Sequence, residues 1–258
     1  MNRRSAGDRL RRVAPVLLAA HLALVACESS AGGTPVASAG SPSSAAPAVT
    51  SAAPSPSPAP VKPRISKAGL AYFFTVAFGA EYRDKVKVIK MWAKPEVGIR
   101  VHGGSAKSRS CLNKVISDFN SLTATTDLKL TKGAADIELH FAPVAKFRSL
   151  EPWYISGNDG YVAARWADGY TITSANVLIR SSGISERIRC HLIREELTQG
   201  MGMLRDSDKY PESIFYGQYW SAPTRYSALD KEVIRLLYSG AVGPGDDKAR
   251  VKKAVTVR

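Results

Sequence analysis

The stretch Cys190-His191-Leu192-Ile193-Arg194-Glu195-Glu196-Leu197-Thr198-Gln199-Gly200-Met201-Gly202-Met203-Leu204-Arg205-Asp206 decides how the rest of the chain is read. A helix is expected over residues 185–201, stopping at Gly200 or Gly202. Glu195 and Gln199 are four residues apart and therefore share one helix face, with Glu196 beside them. His191 precedes Glu195 by four residues, so it faces the same way. Gly202 lets the chain turn sharply away after the helix.

Upstream, a helix is expected over residues 67–79 and strands over 85–91 and 97–102, the second ending at Gly103-Gly104. Residues 108–123 carry Leu112, Val115, Ile116, Phe119 and Leu122 on one face of a 3.6-residue period, an amphipathic helix. Apolar and polar residues alternate through Asp136-Ile137-Glu138-Leu139-His140-Phe141, a half-buried strand that turns His140 away from Ile137, Leu139 and Phe141. Residues 161–166 and 171–180 read as two more strands, a hairpin across Asp168-Gly169. A last helix over 227–238 starts at Ser227 as N-cap. This order predicts an α/β (α+β) domain with a mixed sheet over residues 64–245.

The remainder of the chain speaks of location. Its 258 residues are 45% apolar and carry a net charge of +14. Three cysteines are too few for a disulfide-scaffolded fold. Five arginines precede an apolar run over residues 13–26, shorter than the roughly 20 residues of a spanning helix. Residues 1–26 read as a signal peptide. Leu24-Val25-Ala26-Cys27 resembles the bacterial lipoprotein box, which implies lipidation of Cys27. Cleavage there lowers the basic residues from 36 to 31 and the acidic ones from 22 to 21, leaving +10. Residues 27–63, nearly all Ser, Ala, Pro, Gly and Thr, form a disordered tether. Residues 246–258 read as a basic disordered tail. The two cysteines left over, Cys111 and Cys190, are expected to pair outside the cytoplasm.

The outline of residues 190–206 resembles the metzincin zinc signature His-Glu-x-x-His-x-x-Gly-x-x-His, in which three histidines bind zinc and the glutamate is general base. That resemblance puts the general-base position on Glu196 and the glycine on Gly202. It puts the ligand positions on Glu195, Gln199 and Arg205, so all three histidines are missing. Pro211-Glu212-Ser213-Ile214-Phe215-Tyr216 resembles the Met-turn of matrixin-type peptidases, with Phe215 in place of methionine. It implies a metzincin-like mixed sheet with two main helices plus a C-terminal helix. Residues 72–245 are also similar to the bacterial family known as domain of unknown function 2927. The matching features are Ala77-Phe78-Gly79 with Glu81, Glu195-Glu196-x-Thr198-Gln199, Gly202, Asp206, Ser213-Ile214-Phe215 and Leu237-Tyr238.

Arg205 cannot lose its proton and Gln199 is a poor zinc ligand. Without zinc, nothing lowers the pKa of an attacking water for Glu196 to use. The expectation is therefore a pseudo-enzyme without metal or cofactor, in which Glu195, Gln199 and Arg205 form a hydrogen-bonded cluster with the guanidinium in the metal's place. The expected protein is a lipid-anchored one on the extracytoplasmic face of the cell membrane, binding or scaffolding at the envelope. Its partners are membrane lipid through acylated Cys27 and anionic envelope polymers or an envelope protein; the export signal argues against nucleic acid. The alternative is a zinc metallopeptidase with non-standard ligands, built from His191 and Glu195 with His102 or His140 approaching from the strands.

Overall fold

The computed structural model describes residues 62–82, 84–218 and 222–258. The signal peptide, Cys27 and the tether up to residue 61 lie outside the described residues.

In chain order the elements are β1 (Arg64–Ile65), α1 (Lys67–Val76), β2 (Glu96–His102), α2 (Ala106–Asn120), β3 (Asp127–Leu130), β4 (Ile137–Ala142), α3 (Phe147–Leu150), β5 (Gly160–Trp166), β6 (Ile172–Arg180), α4 (Glu186–Gln199), α5 (Ala228–Leu237), α6 (Lys248–Ala254) and β7 (Thr256–Val257). Short polar side chains start the helices: Ser66, Ser105, Ser185, Ser227 and Asp247 each accept a bond from a first-turn N–H. At α5 the cap is reciprocal, because Asp230 accepts from the Ser227 N–H in return.

The main sheet has the order β3-β2-β4-β6-β5. All its pairs are parallel except β5 with β6, the expected hairpin, so β5 is an antiparallel edge strand. One sheet face carries Val97, Ile99, Ile137, Leu139, Val177 and Ile179 into the core. There they meet Leu112, Val115 and Phe119 of α2 and Ile193 and Leu197 of α4. On the other face Leu178 joins Phe147, Tyr154, Tyr161 and Ala163 in a small second cluster. The mixed α/β architecture with two main helices and a C-terminal helix is thus as expected. Cys111 of α2 and Cys190 of α4 form a disulfide, with their Cα atoms 5.8 Å apart.

Two expectations fail. Residues 85–91 do not form a strand; they make only isolated bridges, Phe78 with Ile89 and Met91 with Thr171. The backbone bonds of this segment go to different places, Val88 O to Gly79 and Ile89 to Gly245 and Asp246, so no ladder builds up. Nor is the tail 246–258 disordered: it forms α6 and β7, and β7 pairs in parallel with β1. Val251 and Val255 are four residues apart and buried, while Lys252 and Lys253 face solvent. The basic composition masked that apolar stripe. Among the described residues no helix is long and apolar enough to cross a membrane.

Candidate functional site

Helix α4 owes its place to the side facing away from the site. Arg194 is fully buried, donates to Asp118 Oδ2 of α2 at 2.7 Å and lies 4.5 Å from the centre of the Tyr226 ring. Thr198 Oγ1 donates to the Arg194 carbonyl at 2.5 Å and meets the Tyr226 hydroxyl at 2.8 Å. The helix end is held as firmly. Trp92 Nε1 donates to the Gly200 carbonyl at 3.0 Å, and the Tyr238 hydroxyl to the Met201 carbonyl at 2.7 Å. Gly202 has φ +111°, and a Cβ there would strike the Lys90 carbonyl oxygen. Only glycine permits this turn, which carries the chain directly to Arg205 and Asp206.

The opposite side of α4 borders a cleft of about 430 Å³ against edge strand β5. Glu196, Gln199 and Asp206 line it together with Glu81, and Tyr82, Trp153, Tyr161 and Trp166 form its aromatic walls. Gly160 at the start of β5 is the close-approach point, since a Cβ there would collide with the Glu196 carboxyl. The segment resembling a Met-turn is tied to α5 through Asp230. Ser213 Oγ donates to Asp230 Oδ1 at 2.6 Å and Ile214 N–H to Oδ2 at 3.1 Å, and Phe215 is fully buried.

The cleft is an acidic cluster. Burial, then the charges of Glu195, Asp206 and Glu81, raise the Glu196 carboxyl well above its ordinary value. Burial, then Glu195 and Glu81, push Asp206 up to about 8, against the pull of its bond from Gln199. Burial and the Glu195 charge also raise Glu81, while Tyr82 and Arg205 draw it down. Glu196 is 7% exposed and its carboxyl has no hydrogen-bond or ion-pair partner among the described residues.

The expected cluster of Glu195, Gln199 and Arg205 does not form. Gln199 Nε2 donates to Asp206 Oδ1 at 2.5 Å, and Glu195 Oε2 lies 3.2 Å from His191 Nε2. Arg205 makes no ion pair among the described residues, so the guanidinium does not take the metal's place. Asp206, the next residue, reaches Gln199 instead. His191 is buried, and its Nδ1 is 2.9 Å from the Pro223 carbonyl. Burial pulls its pKa down, but the Glu195 contact outweighs this and leaves it raised. His102 and His140 do not join His191 and Glu195; they meet each other on the outer sheet face. The donor set at the helix does not fit zinc. One expected ligand position holds an amide committed to Asp206 and another a permanent cation. Among the described residues no three His, Cys, Asp or Glu ligand atoms converge there. Sequence reasoning quoted Glu81 and Asp206 as family features without giving them a role. Only the fold shows that they meet Glu196.

The fold and the site together define a mixed α/β domain whose cleft is lined by carboxyl groups. Over residues 67–257 the chain matches the family described as "Protein of unknown function (DUF2927)", and it belongs to that family. The match runs through α6 into β7, so the family domain includes the basic C-terminus. The chain is also similar to two solved structures of myroilysin. One shows 11% identity and a TM-score of 0.41 over 58% of this chain and 86% of that one. The other shows 10% identity and a TM-score of 0.39 over 58% and 95%. No curated protein matches the sequence.

Proposed function

We propose that this protein is exported, anchored to the cell membrane through acylated Cys27, and uses its cleft to bind a cationic group at the cell envelope without hydrolysing it. The observation that carries this reading is the Glu196 carboxyl, buried, unpartnered and facing the cleft among Glu81, Glu195 and Asp206. A buried acid without a partner is costly, and a ligand ammonium or guanidinium offsets that cost. The aromatic rings of Tyr82, Trp153 and Trp166 around it add stacking surface, with Arg165 already over Trp153 and Lys90 over Trp166. A ligand that fills such a cleft is a basic peptide or an amine-bearing envelope component.

The test uses Trp fluorescence and calorimetry with tri-lysine, tri-arginine and acetylated tri-lysine. Tri-lysine or tri-arginine should bind, acetylated tri-lysine at least tenfold more weakly, and Glu196→Gln should weaken binding by about the same factor. Peptides recovered after incubation should be intact by mass spectrometry. A chain that binds none of the cationic probes refutes the reading. Stoichiometric zinc with peptide cleavage that Glu196→Ala abolishes would establish the alternative, a metallopeptidase with non-standard ligands.

A further inference from the structure

His102 and His140 have no part in the cleft, yet the fold brings them together. They are register partners in the parallel pair of β2 and β4. Glu138 precedes His140 by two residues and shares its sheet face, opposite the core residues Ile137, Leu139 and Phe141. His102 Nε2 lies 2.7 Å from Glu138 Oε2, and the two imidazoles stack with their centroids 4.3 Å apart. One ligand atom from each of the three residues lies within 4.8 Å of the other two. No other such convergence of His, Cys, Asp or Glu occurs among the described residues.

The corner is built for close approach. Gly103 and Gly104, which follow His102, have φ of 73° and 87°. A Cβ on Gly103 would come within 2.9 Å of the Phe141 carbonyl oxygen, and one on Gly104 within 2.6 Å of the Phe141 ring. The glycines let the end of β2 lie flat on β4 and keep His102 opposite His140. Arg100 grips both oxygens of Glu138, Nε to Oε2, the oxygen that also faces His102, at 3.0 Å and Nη2 to Oε1. This fixes the carboxylate as an outer-shell partner fixes a metal ligand. His140, half-buried, has no hydrogen-bond partner among the described residues.

We infer that His102, Glu138 and His140 form a divalent transition-metal site on the outer face of the sheet, separate from the cleft, with zinc as the ion its ligands suit. Two imidazole nitrogens and one carboxylate oxygen make a three-ligand zinc set, with the fourth position left to water. Zinc bonds of about 2.0–2.1 Å set the ligand atoms about 3.3 Å apart in a tetrahedron. The side chain of His102 is 43% exposed and free to swing by the remaining distance. The metal replaces the proton between His102 Nε2 and Glu138 Oε2, and that proton leaves to water or moves to Nδ1.

The test uses the full chain, purified in detergent, stripped with a chelator and titrated with Zn²⁺ by calorimetry at pH 7.5. Co²⁺ serves as the spectroscopic probe. One equivalent should bind, with visible d–d bands for Co²⁺. His140→Ala and Glu138→Gln should each weaken Zn²⁺ at least tenfold, whereas Glu195→Gln in the cleft should leave it unchanged. If His140→Ala fails to fold, the more exposed His102→Ala decides. No binding, binding that these variants leave within threefold, or binding lost in Glu195→Gln overturns the site. Zinc lost in Glu195→Gln would place the ion at the cleft; the other outcomes leave cation binding in the cleft untouched, and the peptide titrations read it separately.

Discussion

Asp206→Asn tests the electrostatics of the cleft directly. In the folded protein burial and the charges of Glu195 and Glu81 hold the Asp206 carboxyl at about 8, against an ordinary value of 3.8. A folded-state pKa above the unfolded one means that the folded state keeps a proton the unfolded state has lost. Between these values stability therefore falls as pH rises; it is fully present below about pH 4 and lost as pH passes through 8. At about 1.4 kcal/mol per pKa unit the full displacement corresponds to roughly 6 kcal/mol. Solvent at the cleft mouth screens part of this, leaving on the order of 3 kcal/mol. Asparagine is neutral at every pH and keeps an oxygen to accept from Gln199 Nε2, so packing and that bond survive. The assay is urea unfolding followed by Trp fluorescence at pH 5, 6.5 and 8.5, with the m-value checked for constancy. Asp206→Asn should exceed wild type by about 1.5 kcal/mol at pH 5, where part of the loss has already occurred, and by about 3 kcal/mol at pH 8.5. A gap that does not grow with pH, or a variant less stable at pH 8.5, would refute the account of an acid-loaded cleft. The expected sign also fits a functional site, where stability is given up for binding.

Two further outcomes follow from the ends of the chain. A chain stopped at Gly245 loses the buried Val251 and Val255 and the β1–β7 pair, and should lose about 3–5 kcal/mol in urea unfolding; equal stability would return the tail to an unstructured appendage. Cys27→Ala should abolish fatty-acid labelling and move the protein from the membrane to the soluble fraction, whereas persistent labelling rules out acylation at that cysteine.

Legibility in the sequence followed the reach of each physical signal. The 3.6-residue stripe of α2, the alternation in β4 and the Ser227 cap are local patterns, and each element lies where its pattern put it within a few residues. The Cys111–Cys190 pair was legible because the lipoprotein-box reading of Cys27 leaves two thiols over. Residues 85–91 misled because alternation says nothing about a partner, and their backbone bonds are divided among several segments. The tail misled because five basic residues outweigh three valines in any reading of composition. In the site, spacing on a helix placed Glu195, Glu196 and Gln199 correctly on adjoining faces. It had no access to the return of the chain after Gly202, so it assigned Arg205 the contact that Asp206 makes.

That substitution explains how the cleft holds its shape with a donor set unsuited to zinc. In the signature that residues 190–206 resemble, the metal ties the helix to the loop behind its glycine. Here the second ligand position, Gln199, bonds directly to the loop residue Asp206 at 2.5 Å, and the turn between them is clamped by Trp92 and Tyr238 on the carbonyls of Gly200 and Met201. A hydrogen bond from a neutral amide gives far less than zinc gives to folding. Behind the helix the disulfide closes a 79-residue span, on the order of 4 kcal/mol in the chain-entropy model, and Arg194 joins α4 to Asp118 and Tyr226. Support thus comes from the face of α4 turned away from the cleft. Glu196 is left free of any structural duty, which is the condition a binding carboxylate needs.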